Sequence, residues 1–266
     1  MKAGASQLLL RPFEALGSAT IGVVASFGRF GSFLVATLRA LLDFTTWGPL
    51  LMVHMKRLGV DSLPIALFLA AFTGIVLALQ ASYTFTGAIP LYFVGTLVGK
   101  TMILELGPVL TGLALAGRVG ANIAAQLGTM RVSEQIDALE TLAYNPVSYL
   151  VVPRVLAGVL MFPIIVIFAN AVGIIAGLIT AVNLLDMSTQ EFVRGLRLFY
   201  EPFDLTYSLI KTTSFGLLIT IVGCFQGFTT QGGAEGVGRA TTSAVVTTTL
   251  VLMLLDVLLA PVLKAF

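Results

Sequence analysis

Charged residues are scarce in this chain. Only 11% of its 266 residues are Asp, Glu, Lys or Arg, whereas soluble globular domains contain about a quarter. A soluble domain of this size needs more polar surface than these residues supply, so the composition argues against a soluble protein. The formal net charge of +2 gives no basis for a nucleic-acid-binding role.

Cysteine and histidine are nearly absent. The single cysteine, Cys224, excludes an internal disulfide. The single histidine, His54, has no second His or Cys at ligand spacing, so we expect a solvated interfacial side chain and no metal site. No nucleophile–base pair is apparent, and no catalytic residue is predicted. The P-loop pattern G-x-x-x-x-G-K-[ST] does not occur, so the chain is not expected to bind or hydrolyse ATP.

Apolar residues are abundant instead, at 57% of the chain, and the mean hydropathy is +0.99. Five apolar segments approach the roughly 20 residues that a membrane-spanning helix needs. They lie near 63–87, 91–118, 153–182, 205–228 and 241–263. The sequence therefore predicts an all-α integral membrane protein with about five transmembrane helices.

Glycine and proline mark irregular points in these segments. Gly107-Pro108 lies inside the second segment and predicts a kink there. The pairs Gly95/Gly99 and Gly173/Gly177 have the small-xxx-small spacing that lets helices approach closely.

An N-terminal region, residues 1–61, is predicted to precede the transmembrane domain, 62–266. Over 12–43, apolar residues recur at steps of three and four, with Arg29 and Arg39 on the opposite face. This pattern predicts an amphipathic helix lying in the membrane interface, with a poor transmembrane span as the less favoured alternative. The following stretch, "DFTTWGPLLMVHMKRLGVDSLP", is interpreted as a breaker-rich link anchored at the cytoplasmic interface by its Trp and Lys-Arg pair.

The distribution of basic residues predicts the orientation. The link after the second segment carries Arg118, Arg131 and Arg154, whereas the loop before that segment is uncharged. Cytoplasmic loops are enriched in Lys and Arg, so the N-terminus and this link are expected in the cytoplasm. The net-acidic loop 183–204 is expected outside, and five spans then place the C-terminus outside as well.

Part of the link is patterned as a short helix. "VSEQIDALETL" has Ser133 as a candidate N-cap, and Val132, Ile136, Leu139 and Leu142 would form an apolar stripe. Such a helix suits the docking of a cytoplasmic protein, and a helix resting on the lipid surface is the alternative. Its acidic face favours a protein partner, because anionic lipid would repel it.

Three charges lie within the outer half of the predicted bilayer, Glu105, Lys211 and Asp256, each on a different segment. An ionised group at the centre of a span costs about 2.5–3.5 kcal/mol on insertion scales, so such charges pair or serve a function. Lys211 is the predicted partner of Glu105 or Asp256. Lys100 is five residues from Glu105, which is about 140° around a helix and the wrong face. A structural ion cluster and a site for a lipid headgroup are equally supported by this chemistry.

Two stretches carry a family resemblance. "ELGPVLTGLALAGRVGANIAAQLGTMRVSEQIDALETLAYNPVSYLVVPRVLAG" and "GVGRATTSAVVTTTLVLMLLDVLL" resemble the MlaE (YrbE) family. Its members are permease subunits of bacterial ABC transporters that move phospholipids between the inner and outer membranes and maintain outer-membrane lipid asymmetry. The likeness extends over nearly the whole chain.

The resemblance implies a homodimeric permease in the bacterial inner membrane, with phospholipid as its substrate. It implies a cytoplasmic ABC ATPase that binds ATP and Mg²⁺, an MCE-domain protein on the periplasmic side and, in many systems, a STAS-domain protein. No cofactor is expected in this chain itself.

The resemblance also implies two sets of functional residues. A lipid cavity at the dimer interface is expected to be lined by Glu105, Lys211, Asp256, Lys100, Leu77, Tyr83, Phe85 and Leu106. Leu104 stands where some members carry a basic residue, and Lys100 or Lys211 is expected to substitute. A coupling helix at about 131–143 would contact the ATPase through Arg131, Glu134, Gln135, Asp137, Ala138 and Glu140, together with Arg239.

Two other functions remain as alternatives. An ion-coupled secondary transporter would use Glu105 and Asp256 as proton carriers, but no clear inverted repeat accompanies them. A non-transporting membrane anchor for an MCE-domain protein is the other. Co-purification with an ATPase separates both from an ABC permease.

Overall fold

The computed structural model describes residues 3–84, 90–185 and 187–261, and every regular element within these ranges is a helix. Five helical stretches are long and apolar enough to cross a membrane, and the prediction of an all-α integral membrane protein is confirmed. They are Phe44–Ala81, Tyr92–Val132, Val147–Leu184, Pro202–Phe228 and Gly233–Leu259.

Eleven α-helices lie within the described ranges. They are α1 (Ala3–Ala40), α2 (Phe44–Leu58), α3 (Leu63–Thr84), α4 (Tyr92–Thr101), α5 (Gly107–Leu115), α6 (Ala121–Val132), α7 (Gln135–Thr141), α8 (Val152–Leu184), α9 (Thr189–Leu198), α10 (Pro202–Phe228) and α11 (Gly233–Leu259).

The predicted N-terminal helix is present as α1. Phe30 and Phe33 pack edge-on against Phe225 of α10, at ring-centroid distances of 5.1 and 5.6 Å. Arg29 and Arg39 are exposed, as the amphipathic pattern predicts. Leu38, one of the apolar residues that recur at steps of three and four, is 64% exposed, so the apolar surface of α1 is wider than its contact with the bundle. Placement of α1 in the membrane interface stays a prediction.

The stretch interpreted as a breaker-rich link is helical, which corrects that interpretation. It forms α2, which contains Pro49 and packs along α8. The Trp47 indole N–H donates to the carbonyl of Leu41 at 3.1 Å and joins the end of α1 to α2. His54 is buried, so the prediction of a solvated histidine is wrong. Packing against α8 outweighs the weak helix propensity of this segment.

The second span is one long helix with two wider turns. A π-helical turn, Met102–Leu106, separates α4 from α5, and another, Ala116–Gly120, separates α5 from α6. The irregularity predicted at Gly107-Pro108 thus takes the form of a π turn directly before these residues. Such turns are frequent at functional sites.

Glycines let several helices meet at the backbone, as the small-xxx-small spacing predicts. A Cβ on Gly95 would overlap the backbone oxygen of Phe192 in α9, and one on Gly177 would lie 3.1 Å from the carbonyl oxygen of Gly74 in α3. A Cβ on Gly74 would overlap the backbone of Gly173 in α8. The α3–α8 and α4–α9 pairs therefore depend on the absence of side chains at these positions.

The bundle is organised around α10, which packs against α6, α8 and α11. In the most apolar stretch of α10, 61% of the residues are buried, against 17% for α11. The last span thus leaves most of its surface free in a single chain.

Sequence reasoning missed α9, which lies within the segment predicted as an outer loop. Its first turn is closed by a capping box between Ser188 and Glu191, and hydrogen bonds from Ser188 lower the pKa of the Glu191 carboxyl. Phe192 is fully buried, and a Cβ on Gly195 would overlap the backbone of Tyr92 in α4. The Ser-x-x-Glu spacing followed by Phe192 was the signal that would have identified this helix.

The close backbone contact between Gly74 and α8 can be tested by substitution. We expect Gly74→Ala to destabilise the protein by about 1–3 kcal/mol, since the added methyl group meets immobile backbone atoms. Thermal unfolding in detergent, followed by circular dichroism, measures the effect. The control is Gly238→Ala, where a Cβ has no atom within 4 Å and helix propensity favours Ala. Equal midpoints for the two variants would contradict the backbone contact.

Candidate functional site

A buried ion cluster joins three spans of the bundle. The Lys211 Nζ atom lies 2.5 Å from Glu105 Oε2 and 2.5 Å from Asp256 Oδ1. Lys211 is on α10, Asp256 is on α11, and Glu105 is in the π turn between α4 and α5. The cluster therefore ties the second, fourth and fifth spans together.

The lysine at the centre of this cluster has no access to solvent, since its side chain is 0% exposed. Removing an ammonium group from water is costly unless nearby charges and hydrogen-bond acceptors replace the lost hydration. Two carboxylates do so here, and the ring of Tyr207 lies 5.4 Å from the ammonium nitrogen. The pairing of Lys211 with Glu105 and Asp256 confirms the partners predicted from the sequence.

A backbone carbonyl completes the contacts of Lys211. Its ammonium group donates to the carbonyl oxygen of Leu104 at 3.1 Å. Residue 108 is proline and has no N–H, so the ordinary α-helical bond to the carbonyl four residues earlier cannot form. The Gly107-Pro108 pair and the π turn before it thus leave an acceptor for the lysine. Sequence reasoning predicted the irregularity but missed this contact.

The cluster is most exposed at Glu105. The Glu105 side chain is 44% exposed, whereas that of Asp256 is 19% exposed. Glu105 is therefore the member of the cluster that a bound molecule can reach, while Lys211 acts behind it as a fixed positive charge.

Lys100 belongs to a different cluster. Its Nζ atom lies 3.3 Å from Asp204 Oδ2 and 3.8 Å from Glu201 Oε1. Asp204 is buried, while the Lys100 side chain remains one-third exposed. The prediction that Lys100 faces away from Glu105 is confirmed, and its headgroup role stays a prediction.

The apolar cavity residues predicted from the resemblance lie on neighbouring elements. Leu106 follows Glu105 in the π turn, and Leu77 is on α3; both are half-buried. Tyr83, near the end of α3, is 79% exposed. Phe85 lies outside the described residues. Lipid contact at these positions stays a prediction.

The predicted coupling helix is shorter than 131–143 and is observed as α7. Ser133 is not its N-cap, because the Ser133 hydroxyl donates back to the carbonyl of Thr129 in α6. Glu134, with φ at 58°, precedes the first residue of α7 instead. The tight turn between α6 and α7 needs a left-handed residue, which a capping pattern alone does not reveal.

The residues predicted to contact a partner fall into two groups. Arg131 forms an ion pair with Asp137 at 2.5 Å, which ties the end of α6 to α7. Exposed side chains are Glu134, Gln135, Ala138, Glu140 and Arg239, the last 3.8 Å from Glu235 within α11.

The apolar stripe of α7 is shorter than predicted. Ile136 is 1% exposed, and Leu139 packs against the same core. Leu142, however, is 68% exposed. The short helix is thus anchored on one face and presents polar groups on the other.

Comparison with known proteins decides the family. The family model described as "Permease MlaE" matches residues 51–262. The chain belongs to the MlaE permease family. All three residues of the Lys211 cluster and the whole of α7 lie within the matched part, whereas α1 precedes it. The chain is therefore a multi-pass membrane permease subunit, as the resemblance implies.

Relatives of this MlaE permease come from bacteria and a plant. A "Probable ABC transporter permease protein" of Rickettsia bellii is 36% identical over 252 residues, covering 95% of this chain and 97% of the relative. The "Intermembrane phospholipid transport system permease protein MlaE" of Haemophilus influenzae is 32% identical and covers 96% of this chain and 98% of the relative. The chloroplast protein TRIGALACTOSYLDIACYLGLYCEROL 1 of Arabidopsis thaliana is 34% identical, covering 78% of this chain and 59% of the relative.

The Lys211 cluster of this MlaE permease generates a second test. We expect Lys211→Met to destabilise the protein by about 3–5 kcal/mol, because two carboxylates lose their common counter-charge. Thermal unfolding in detergent measures the loss. The control, Arg239→Met, removes a positive charge from an exposed pair and should leave the midpoint unchanged.

A combined variant checks the cause of that loss. Adding Glu105→Gln and Asp256→Asn to Lys211→Met removes the uncompensated charges, so most of the stability should return. A Lys211→Met midpoint equal to that of Arg239→Met would show that the cluster does not hold the spans together.

Proposed function

We propose that this chain is the permease subunit of an ABC transporter that moves phospholipids between the inner and outer membranes of a bacterium. The observation that carries the proposal is the Lys211 cluster, buried on the lysine side and open at Glu105, within a chain of the MlaE family. The name of the Haemophilus influenzae relative, an intermembrane phospholipid transport permease, supports phospholipid as the substrate.

The chemistry of the cluster suits a phospholipid headgroup. A half-exposed carboxylate accepts hydrogen bonds from an ammonium or hydroxyl group of the headgroup. Leu77, Tyr83 and Leu106 would contact the acyl chains. Lys100, one-third exposed beside Asp204, would contact the phosphate group at the rim.

A homodimer would enclose this site. Most of the surface of α11 is exposed in the single chain. Asp256 of α11 and Glu105 both form ion pairs with Lys211. A second copy packed along α11 would therefore close a cavity over the exposed side of Glu105. Exposed Thr242 and Ser243 on α11 suit helix–helix contact, since small polar residues favour it in membranes.

In this proposal, the ATP hydrolysis that drives transport takes place on a partner protein. A cytoplasmic ABC ATPase binds ATP and Mg²⁺ and docks on α7, whose polar face is exposed while Ile136 anchors its other side. Arg239, near the start of α11, contributes to the same surface. An MCE-domain protein on the periplasmic side and a STAS-domain protein bound to the ATPase complete the system.

The charge distribution supports the location and orientation that we propose. The chain lies in the bacterial inner membrane, with its N-terminus and α7 in the cytoplasm and its C-terminus in the periplasm. The Lys211 cluster then faces the periplasmic half of the bilayer, where lipid is exchanged with the MCE-domain protein.

The role of α7 is tested by Ala138→Pro. Proline removes the hydrogen bond from the Ala138 N–H to the carbonyl of Glu134 and should abolish co-purification of the ATPase, since the helix cannot form. Ala138→Ser keeps the N–H and should retain the ATPase. Normal ATPase capture by Ala138→Pro would contradict the docking site, and capture of no ATPase by the unchanged chain would favour a secondary transporter or an anchor.

The role of Glu105 is tested by the lipid that purifies with the complex. Glu105→Gln keeps the shape of the side chain and removes its charge, so it should reduce bound phospholipid per chain and transport by about tenfold, as expected for a lost charge-assisted contact. Quantitative lipid mass spectrometry measures the content. The control is Glu235→Gln, an exposed carboxylate on α11. Unchanged lipid content and transport in Glu105→Gln would leave the cluster with a structural role only.

A further inference from the structure

A second group of charges lies away from the Lys211 cluster, in a pocket between α2, α6 and α8. The pocket has a volume of about 480 Å³ and is lined by Arg57, Ala125, Gln126, Thr129, Met130 and Arg154. No acidic side chain is among these lining residues, so two arginines face the pocket without a carboxylate.

Arg154 is the unusual member of this pocket because it is only 6% exposed. One of its N–H groups donates to the carbonyl of Leu150, although a guanidinium has five donors. Among the residues that the structure describes, neither Arg154 nor Arg57 forms an ion pair with a carboxylate. A buried cation without counter-charge is strongly unfavourable, whereas Lys211, equally buried, has two carboxylates. The free N–H donors of Arg154 therefore favour the binding of an anion in this pocket.

The other polar groups of the pocket are already engaged. The Thr129 hydroxyl donates to the carbonyl of Ala125, and the Gln126 amide donates to the side chain of Asn122. The guanidinium groups are thus the free donors. Each guanidinium group is planar, and its paired N–H groups match two oxygens of a phosphate group.

The surroundings of Arg57 favour a lipid as the source of that phosphate. Val53 lies one helical turn before Arg57 on α2 and is 46% exposed, and Val60, just after α2, is 50% exposed. An anionic headgroup held by the arginines would leave its acyl chains along this apolar surface. The positive-inside pattern places Arg57 and Arg154 toward the cytoplasmic face, where the phosphates of the inner leaflet lie.

We propose that the pocket between α2, α6 and α8 binds the phosphate group of an anionic lipid from the cytoplasmic leaflet, through Arg57 and Arg154. The site is separate from the proposed transport cavity. Gly158, one turn after Arg154, packs against Thr220, which is nine residues or about 14 Å along α10 from Lys211. The lipid site does not depend on the proposed transport function.

The experiment titrates the purified full-length permease, stripped of lipid in detergent, with phosphatidylglycerol or phosphatidylcholine of the same acyl chains. Native mass spectrometry counts the bound lipid. The unchanged protein should prefer phosphatidylglycerol, and Arg57→Gln should weaken that binding by about tenfold, since a charge-assisted contact is lost. Arg57 is exposed, so this variant should fold normally. Arg154→Lys keeps the charge without the planar donors and should give an intermediate loss.

The matched control is Lys56→Gln, which removes the same charge from the adjacent exposed position outside the pocket and should change the affinity less than about twofold. The loss caused by Arg57→Gln should persist in a Glu105→Gln background, which separates it from lipid bound at the Lys211 cluster. Equal losses in Arg57→Gln and Lys56→Gln would overturn the site.

Two further outcomes would also overturn the proposal. If inorganic phosphate at millimolar concentration occupies the site and displaces phosphatidylglycerol, with the same dependence on Arg57, the pocket binds free phosphate. If Arg57→Gln leaves lipid binding unchanged but lowers capture of the ATPase, a carboxylate of a protein partner fills the pocket instead.

Discussion

A lysine ammonium group removed from water needs counter-charge within contact distance, and the arrangement of three spans follows from that requirement at Lys211. The two carboxylates that satisfy it come from the second and fifth spans, and each is about 2.5 Å from the ammonium nitrogen. Displacing either span would leave a charge unpaired in an apolar environment. Apolar burial has no directional preference, whereas the ion pairs of this cluster require particular atoms of the three spans to meet.

The same requirement explains a backbone irregularity. Proline at 108 removes one helical hydrogen bond, and the carbonyl of Leu104 is contacted by Lys211 instead. The unpaired carbonyl and the buried ammonium group, each unfavourable alone, therefore form a hydrogen bond with each other. At another irregular position, between α6 and α7, the left-handed Glu134 makes the turn and the Arg131–Asp137 pair joins the two helices.

The sequence was sufficient to predict features that follow from one helix or from the cost of a lone charge. The five spans, the partners of Lys211 and the separation of Lys100 from Glu105 are of this kind. Several features that depend on tertiary contacts were wrong or missed: α2 is helical because α8 covers it, and α9 is folded against α4. The prediction of Ser133 as the N-cap was wrong because the turn between α6 and α7 requires a left-handed φ at Glu134. The hydrogen bond from Lys211 to the Leu104 carbonyl could not be predicted, because it depends on the backbone geometry of the π turn.

The π turn at Met102–Leu106 divides the second span into two parts, α4 on one side and α5 with α6 on the other, which pack against different helices. On the N-terminal side of this turn, α4 packs against α9 through Gly95 and Gly195 and is joined to the start of α10 by the Lys100–Asp204 ion pair. On the C-terminal side, α5 and α6 pack against α10 and α11. Glu105 lies in the π turn between these two parts. A change of angle between α4 and α5 would therefore lengthen the Glu105–Lys211 ion pair, so this ion pair holds the second span to one angle at its π turn.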